Sequence, residues 1–185
     1  MRRRSFQLPW QTWLLCCALG LFLSACSQTP PPTPPKAKPI PVKPRQLSDH
    51  FVHPIPGARL TSSFASSSSF RRGRIHRGVD FGARIGTPVY ASRSGVVLSA
   101  DNTSLSADFG LAVLIQHGEQ FQSLSAHLSR IDVRMGDWVE AGQQIGLVGA
   151  TGRVTGPHLH FELWRNSHPQ DPLHFLPVVP RRVAP

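Results

Sequence analysis

The chain has 185 residues, enough for one folded domain with appendages, and carries a formal net charge of +10. That charge is unevenly spread: from Gln46 onward there are 13 arginines, no lysine and 10 acidic residues, a balance of +3 that is too mild to argue for a nucleic-acid partner. No GxxxxGK[ST] occurs, and no GxGxxG follows a strand-like run, so the common phosphate cradles are excluded as well.

The N-terminus reads as an export signal. Arg2, Arg3 and Arg4 precede an apolar run from Trp10 to Ala25, broken only by Gln11, Thr12, Gly20 and Ser24. That run is short of the roughly 20 apolar residues a membrane span needs, and small residues close it. Leu23-Ser24-Ala25-Cys26 resembles the lipobox of bacterial lipoproteins. The resemblance implies removal of residues 1–25, a diacylglycerol on the Cys26 thiol and attachment to a membrane. Cys16 and Cys17 would leave with the signal, so the mature chain could form no internal disulfide. Residues 26–48 are the lipidated cysteine and a linker with eight prolines between Pro30 and Pro44. Such a stretch favours polyproline II, about 3.1 Å per residue, and works as a stalk. A folded domain is expected over 49–180 and a short tail over 181–185.

Within the domain, short β-rich runs alternate with turn residues. Thr87–Ala91 and Gly95–Leu98 look like strands joined through Ser92-Arg93-Ser94. Leu111–Ile115 reads as a buried strand, His117–Gln120 as a turn, and Phe121–His127 as the returning strand. Ile145–Val148 and His158–Trp164 complete the set. No long stretch shows 3.6-residue periodicity, so the fold class is all-β, an antiparallel sandwich or barrel-like sheet. Ser66–Ser69 and Asp101–Asp108 are polar loops that either rim a groove or are simply floppy. Gly136–Gln143 looks like the hairpin of lipoyl and biotinyl carriers, but those need a lysine to modify and none follows Lys43.

Three histidine-containing motifs carry potential chemistry. In His158-Leu159-His160, strand periodicity sends both imidazoles to one face, where one or both could touch a metal. In His76-Arg77-Gly78-Val79-Asp80, the glycine and the β-branched residue oppose helix, so a turn into a strand must bring His76 and Asp80 together. Imidazole plus carboxylate suits zinc. His127 closes a strand-like run and matters only if the fold carries it to the other two motifs.

Taken together, these motifs resemble the lysostaphin/LytM-type zinc metalloendopeptidases, which hydrolyse peptidoglycan cross-bridges. The similarity runs through His76-Arg-Gly-Val-Asp80, Ala126-His127-Leu128 and the block from Gly149 to Glu162, and covers roughly residues 54–177. It implies a duplicated-hybrid-motif type of antiparallel half-barrel whose long loops form a substrate groove. It assigns His76, Asp80 and His160 to one zinc ion and His127 and His158 to catalysis. Three protein ligands leave a fourth position open, as catalytic zinc requires. Two departures bear on substrate fit: Ser125 stands where the family often has an aromatic residue, and Val154 where the glycine-rich run often has serine.

The resemblance further implies peptidoglycan as substrate, cut at either glycine bridges or D-amino-acid cross-links, and a cell-wall hydrolase or the division machinery as protein partners; the D,D-cross-link is the better expectation for a chain sorted to an outer membrane. Ser27 after Cys26 would sort the lipoprotein to the periplasmic face of an outer membrane. The competing expectation is a non-catalytic wall-binding lipoprotein that activates an amidase; the intact set of five site residues argues for the enzyme. Glu162 shares a face with His158 and His160 by alternation, so it either orients an imidazole or is solvated. Gly149, Gly152 and Gly156 would let a loop pass close to the site, and Pro157 would set the approach to the last strand.

Overall fold

The computed structural model describes residues 50–71 and 73–178. The expected signal 1–25, the lipidation residue Cys26, the linker 26–48 and the tail 181–185 lie outside them. Ten strands follow in chain order: β1 (Arg59–Ser62), β2 (Val79–Gly82), β3 (Pro88–Tyr90), β4 (Gly95–Asp101), β5 (Leu111–His117), β6 (Phe121–Ile131), β7 (Trp138–Val139), β8 (Gln144–Val148), β9 (His158–Arg165) and β10 (His168–Gln170). All pairings are antiparallel, and the main path runs β1-β2-β9-β6-β5-β4-β7. β10 pairs with β9, and β8 branches off to bridge β6 and β3. The all-β antiparallel expectation therefore holds, in the form of one branched sheet.

One face of this sheet packs the main core. Alternation along β9 sends Leu159, Phe161 and Leu163 into it, beside Val79 and Phe81 of β2 and Val89, Ile145 and Val148 of the β3–β8 branch. Burying each such side chain contributes roughly 1.5–3 kcal/mol. A smaller apolar cluster of Ala112, Leu124 and Ala126, with Phe109 and Leu114 against it, covers part of the opposite face. Because β9 lies between two partner strands and has both faces covered, its polar positions His160 and Glu162 are buried as well. Those positions belong to the candidate site.

β6 extends beyond the expected end at His127. Residues Phe121–Ala126 pair with β9, whereas Leu128–Ile131 pair with β8. The switch falls at His127, whose φ of 64° is left-handed. Against β5 the register steps from Val113↔Ser125 to Leu111↔Leu128, so β6 carries one extra residue there. This is a β-bulge, and it re-aims the side chain that stands on it.

Candidate functional site

The register of β2 against β9 sets Asp80 directly across from His160, and β6 places Ala126 on the far side of His160 in the same row. His158 stands two residues along, across from Gly82. Just ahead of β2, Gly78 lets the chain lie against β9: a Cβ there would be driven into the Phe161 carbonyl. That close approach folds His76 back over the row. His76 Nε2, Asp80 Oδ1 and His160 Nδ1 form a triangle with edges of 3.1, 2.9 and 3.1 Å.

The outer atoms of these three groups fix which way each presents itself. His76 Nδ1 lies 2.9 Å from the Ser63 carbonyl, which can only accept, so that nitrogen carries the proton and Nε2 keeps its lone pair. His160 Nε2 lies 3.0 Å from Glu162 Oε1, and Glu162 Oε2 accepts from the Trp164 indole at 2.8 Å. His160 therefore donates outward from Nε2 and presents Nδ1 inward. Asp80 turns Oδ2 to Arg71 and Oδ1 to the triangle. Glu162 is thus a buried orienting group; of the two alternatives open in the sequence, solvation is excluded.

Three polar atoms this close, one of them a carboxylate oxygen, need positive charge among them, which a proton on the imidazoles or a cation can supply. Burial works against ionisation of Asp80, but hydrogen bonds from His160 and His76 outweigh it and hold the carboxyl well below its usual range. Burial likewise opposes the His160 imidazolium, yet Asp80 and Glu162 raise the ring to about 9. The edges also suit zinc: ligands about 2.0–2.1 Å from a tetrahedral ion stand roughly 3.3 Å apart. Two imidazoles and a carboxylate are donors zinc takes, so the residues present fit the group.

His127 and His158 flank the triangle with their rings 4.8 Å apart. His127 Nδ1 donates to the Thr151 carbonyl at 2.9 Å, and His158 Nδ1 to the Gly156 carbonyl at 2.8 Å. Both keep an Nε2 lone pair for the site, and that of His158 is 3.7 Å from Asp80 Oδ1. Burial, then the neighbouring His158 and His160, push His127 down to about 4, so it is neutral at physiological pH. All five sequence-predicted site residues therefore converge; Cys26 lies outside the described residues.

The cluster opens into a groove of about 1110 Å³. Its walls come from both polar loops, through Ser68, Ser106 and Asp108 among others, and from the run before β9, so of the two roles left open for those loops they take that of a rim. Gly110 and Gly152, both at positive φ, let the second loop and that run touch backbone to backbone. Gly149 is likewise pressed against the β6 backbone, whereas Gly156 faces open space. Sequence reasoning did not single out Phe109, stacked on the His160 ring at 5.7 Å, or Arg71. Neither stands in a periodic run that could have marked it.

Comparison with known proteins agrees with this geometry. The peptidoglycan DD-endopeptidase ShyA of Vibrio cholerae is 49% identical over 94 residues, which make up 51% of this chain and 21% of ShyA. The chain thus spans about a fifth of that curated relative's length. Among solved structures, a zinc-containing peptidase from Vibrio cholerae superposes with a TM-score of 0.58 at 35% identity, covering 66% of this chain and 39% of that one. The catalytic domain of the antimicrobial peptidase lysostaphin from Staphylococcus simulans gives 0.58 at 35% identity, covering 64% of this chain and 91% of that domain. The model of peptidase family M23 matches residues 74–172, from just before His76 to just after the last strand, and the chain belongs to that family.

Proposed function

We propose that the domain is a zinc-dependent endopeptidase that hydrolyses peptide cross-links of peptidoglycan, with the D,D-cross-link as its main substrate. The observation that carries this reading is the meeting of three inward metal acceptors and two further imidazole lone pairs in one groove. In this reading His76, Asp80 and His160 hold the ion. Bound zinc supplies Lewis acidity, which polarises a carbonyl and makes water nucleophilic near neutral pH. His127 and His158 move protons: their Nε2 atoms accept one from the attacking water and return one to the departing amine. Backbone carbonyls of Thr151 and Gly156 hold the two rings in the tautomer this requires. The groove walls keep the peptide extended across the row of histidines and reduce the water around it. The likeness to ShyA supports the D,D-bond over the glycine bridge.

The whole protein is read as an envelope lipoprotein, anchored through Cys26 at an outer membrane and reaching the wall along its proline-rich stalk. Five retained site residues favour catalysis over amidase activation.

The test is digestion of purified D,D-cross-linked peptidoglycan by the zinc-loaded protein, with released muropeptides identified by mass spectrometry. Loss of cross-linked dimers with gain of monomers is expected. An unchanged muropeptide profile would sink the enzymatic reading. His160→Ala should lose both zinc and cleavage.

A further inference from the structure

The geometry points to Arg71 as a positioning residue for the metal cradle, one that ties the cradle to the loop walling the groove. This rests on the zinc reading above. Arg71 closes a 3-10 turn, Ser69–Arg71, in the loop between β1 and β2. A single guanidinium nitrogen, Nη2, donates to Asp80 Oδ2 at 3.0 Å and to Ser62 Oγ at 3.0 Å. Ser62 Oγ in turn lies 3.3 Å from His76 Nδ1. One cation thus touches one metal ligand and stands a single hydroxyl away from a second.

The contact has a chemical consequence. A carboxylate can give a metal one oxygen or two. With Oδ2 held by an always-charged guanidinium, Asp80 presents Oδ1 alone. Released, it could turn and chelate through both oxygens, filling the position that catalytic zinc must keep open. The pair is also partly shielded, with side-chain exposures of 21% for Arg71 and 12% for Asp80, so solvent weakens it less than it would a surface ion pair.

Two ties from the same loop to the opposite wall differ in kind. Arg74 reaches Asp108 across the groove at 3.0 Å, both side chains exposed, and Arg153 donates to the Phe70 carbonyl. Neither touches a metal ligand. They fasten the wall, whereas Arg71 joins the wall to the cradle.

The experiment compares full-length wild type with Arg71→Gln, Arg71→Lys and Arg74→Gln. Zinc affinity is read by competition with a chromophoric chelator, and coordination by the visible spectrum of the cobalt(II)-loaded protein. Arg71→Gln should bind zinc roughly 10–100-fold more weakly, the range typical of lost orienting contacts. Its cobalt bands should weaken toward those of a higher coordination number. Arg71→Lys, which keeps the charge on a shorter side chain with a different head group, should fall between it and wild type, and still reports if Arg71→Gln fails to fold. Arg74→Gln should stay within about twofold of wild type, far less than the loss of an orienting contact. Wild-type affinity and an unaltered cobalt spectrum in both Arg71 variants would overturn the proposal. So would an equal loss in Arg74→Gln, which would assign the effect to the loop as a whole. Failure of the wild type to take up zinc would instead overturn the functional reading beneath it.

Discussion

His160 donates its Nε2 proton to Glu162 at 3.0 Å, two residues along the same strand face, and the contact is buried on both sides. Glu162 also accepts from Trp164, so one carboxylate satisfies two buried N–H groups. Glu162→Gln keeps an acceptor for His160 but loses the charge that makes the ring a good ligand. Its zinc affinity should fall about tenfold. Glu162→Leu strands both N–H groups and should cost roughly 2 kcal/mol or more of stability. Chelator competition and urea unfolding of each variant check the two outcomes.

The flanking imidazoles should separate chemistry from metal binding. His127→Ala and His158→Ala are each expected to lower the rate of cross-link cleavage at least about a hundredfold while retaining stoichiometric zinc. Metal analysis beside a cleavage assay distinguishes them from His160→Ala. His127 offers a second readout, because its φ of 64° strains any side chain with a Cβ. His127→Gly should therefore be more stable than His127→Ala by about 1 kcal/mol, although equally inactive.

Gly152 should tolerate nothing larger. Its φ is +74°, and a Cβ there would meet the Gly110 nitrogen and the Asp108 carbonyl. Gly152→Ala forces the two loops apart and should destabilise the domain by about 1–3 kcal/mol. A lowered thermal midpoint, with reduced cleavage of the same substrate, is the expected result.

His117 predicts an acid sensitivity unconnected with the metal. It ends β5 fully buried, donating from Nδ1 to the Ser94 carbonyl at 3.0 Å and accepting at Nε2 from Ser123 at 2.7 Å. Burial pushes it down to about 4. An unfolded histidine titrates near 6.5, so below that pH the unfolded chain takes up a proton that the folded chain refuses until about 4. The stabilising contribution is complete above roughly 6.5 and is lost as pH falls toward 4. Between about pH 7 and about pH 4.5 the loss is on the order of 2–3 kcal/mol. His117→Asn should show a correspondingly flatter dependence in urea unfolding; an identical slope would contradict this account.

Strands with alternating or continuous apolar runs are legible in the sequence because that pattern matches a sheet with one or both faces buried. β5, the first half of β6, β8 and β9 fall where that pattern places them. β1 was not legible: Arg59–Ser62 is exposed or half-exposed along its length and is a strand only because β2 pairs with it. β10 hides behind Pro169, tolerated on an edge that pairs with β9 alone. His117 reads as part of a turn, since its burial depends on Ser94 and Ser123, residues brought to it by other strands.

At the site, composition and spacing supply the donor types but not their division of labour. His158 and His160 share a face, and only the register decides between them: β2 sets Asp80 across from His160 and gives His158 a glycine. The bulge at His127 is equally invisible locally, because β6 bends there to exchange one neighbour for another. Arg71 lies in a Ser/Arg-rich loop without periodicity, and nothing in that loop marks which arginine turns inward.

The three wall segments differ in how they are tied to the site residues. The stretch before β9 supplies the carbonyls that hold His127 and His158, and the loop between β1 and β2 holds Asp80 through Arg71. The Asp101–Asp108 loop makes no hydrogen bond to any of the five site residues; its neighbour Phe109 only rests on the His160 ring. A change of length at the exposed Asn102–Ser104 would thus shift Ser106 and Asp108, which line the groove, without breaking a hydrogen bond to any of those five residues.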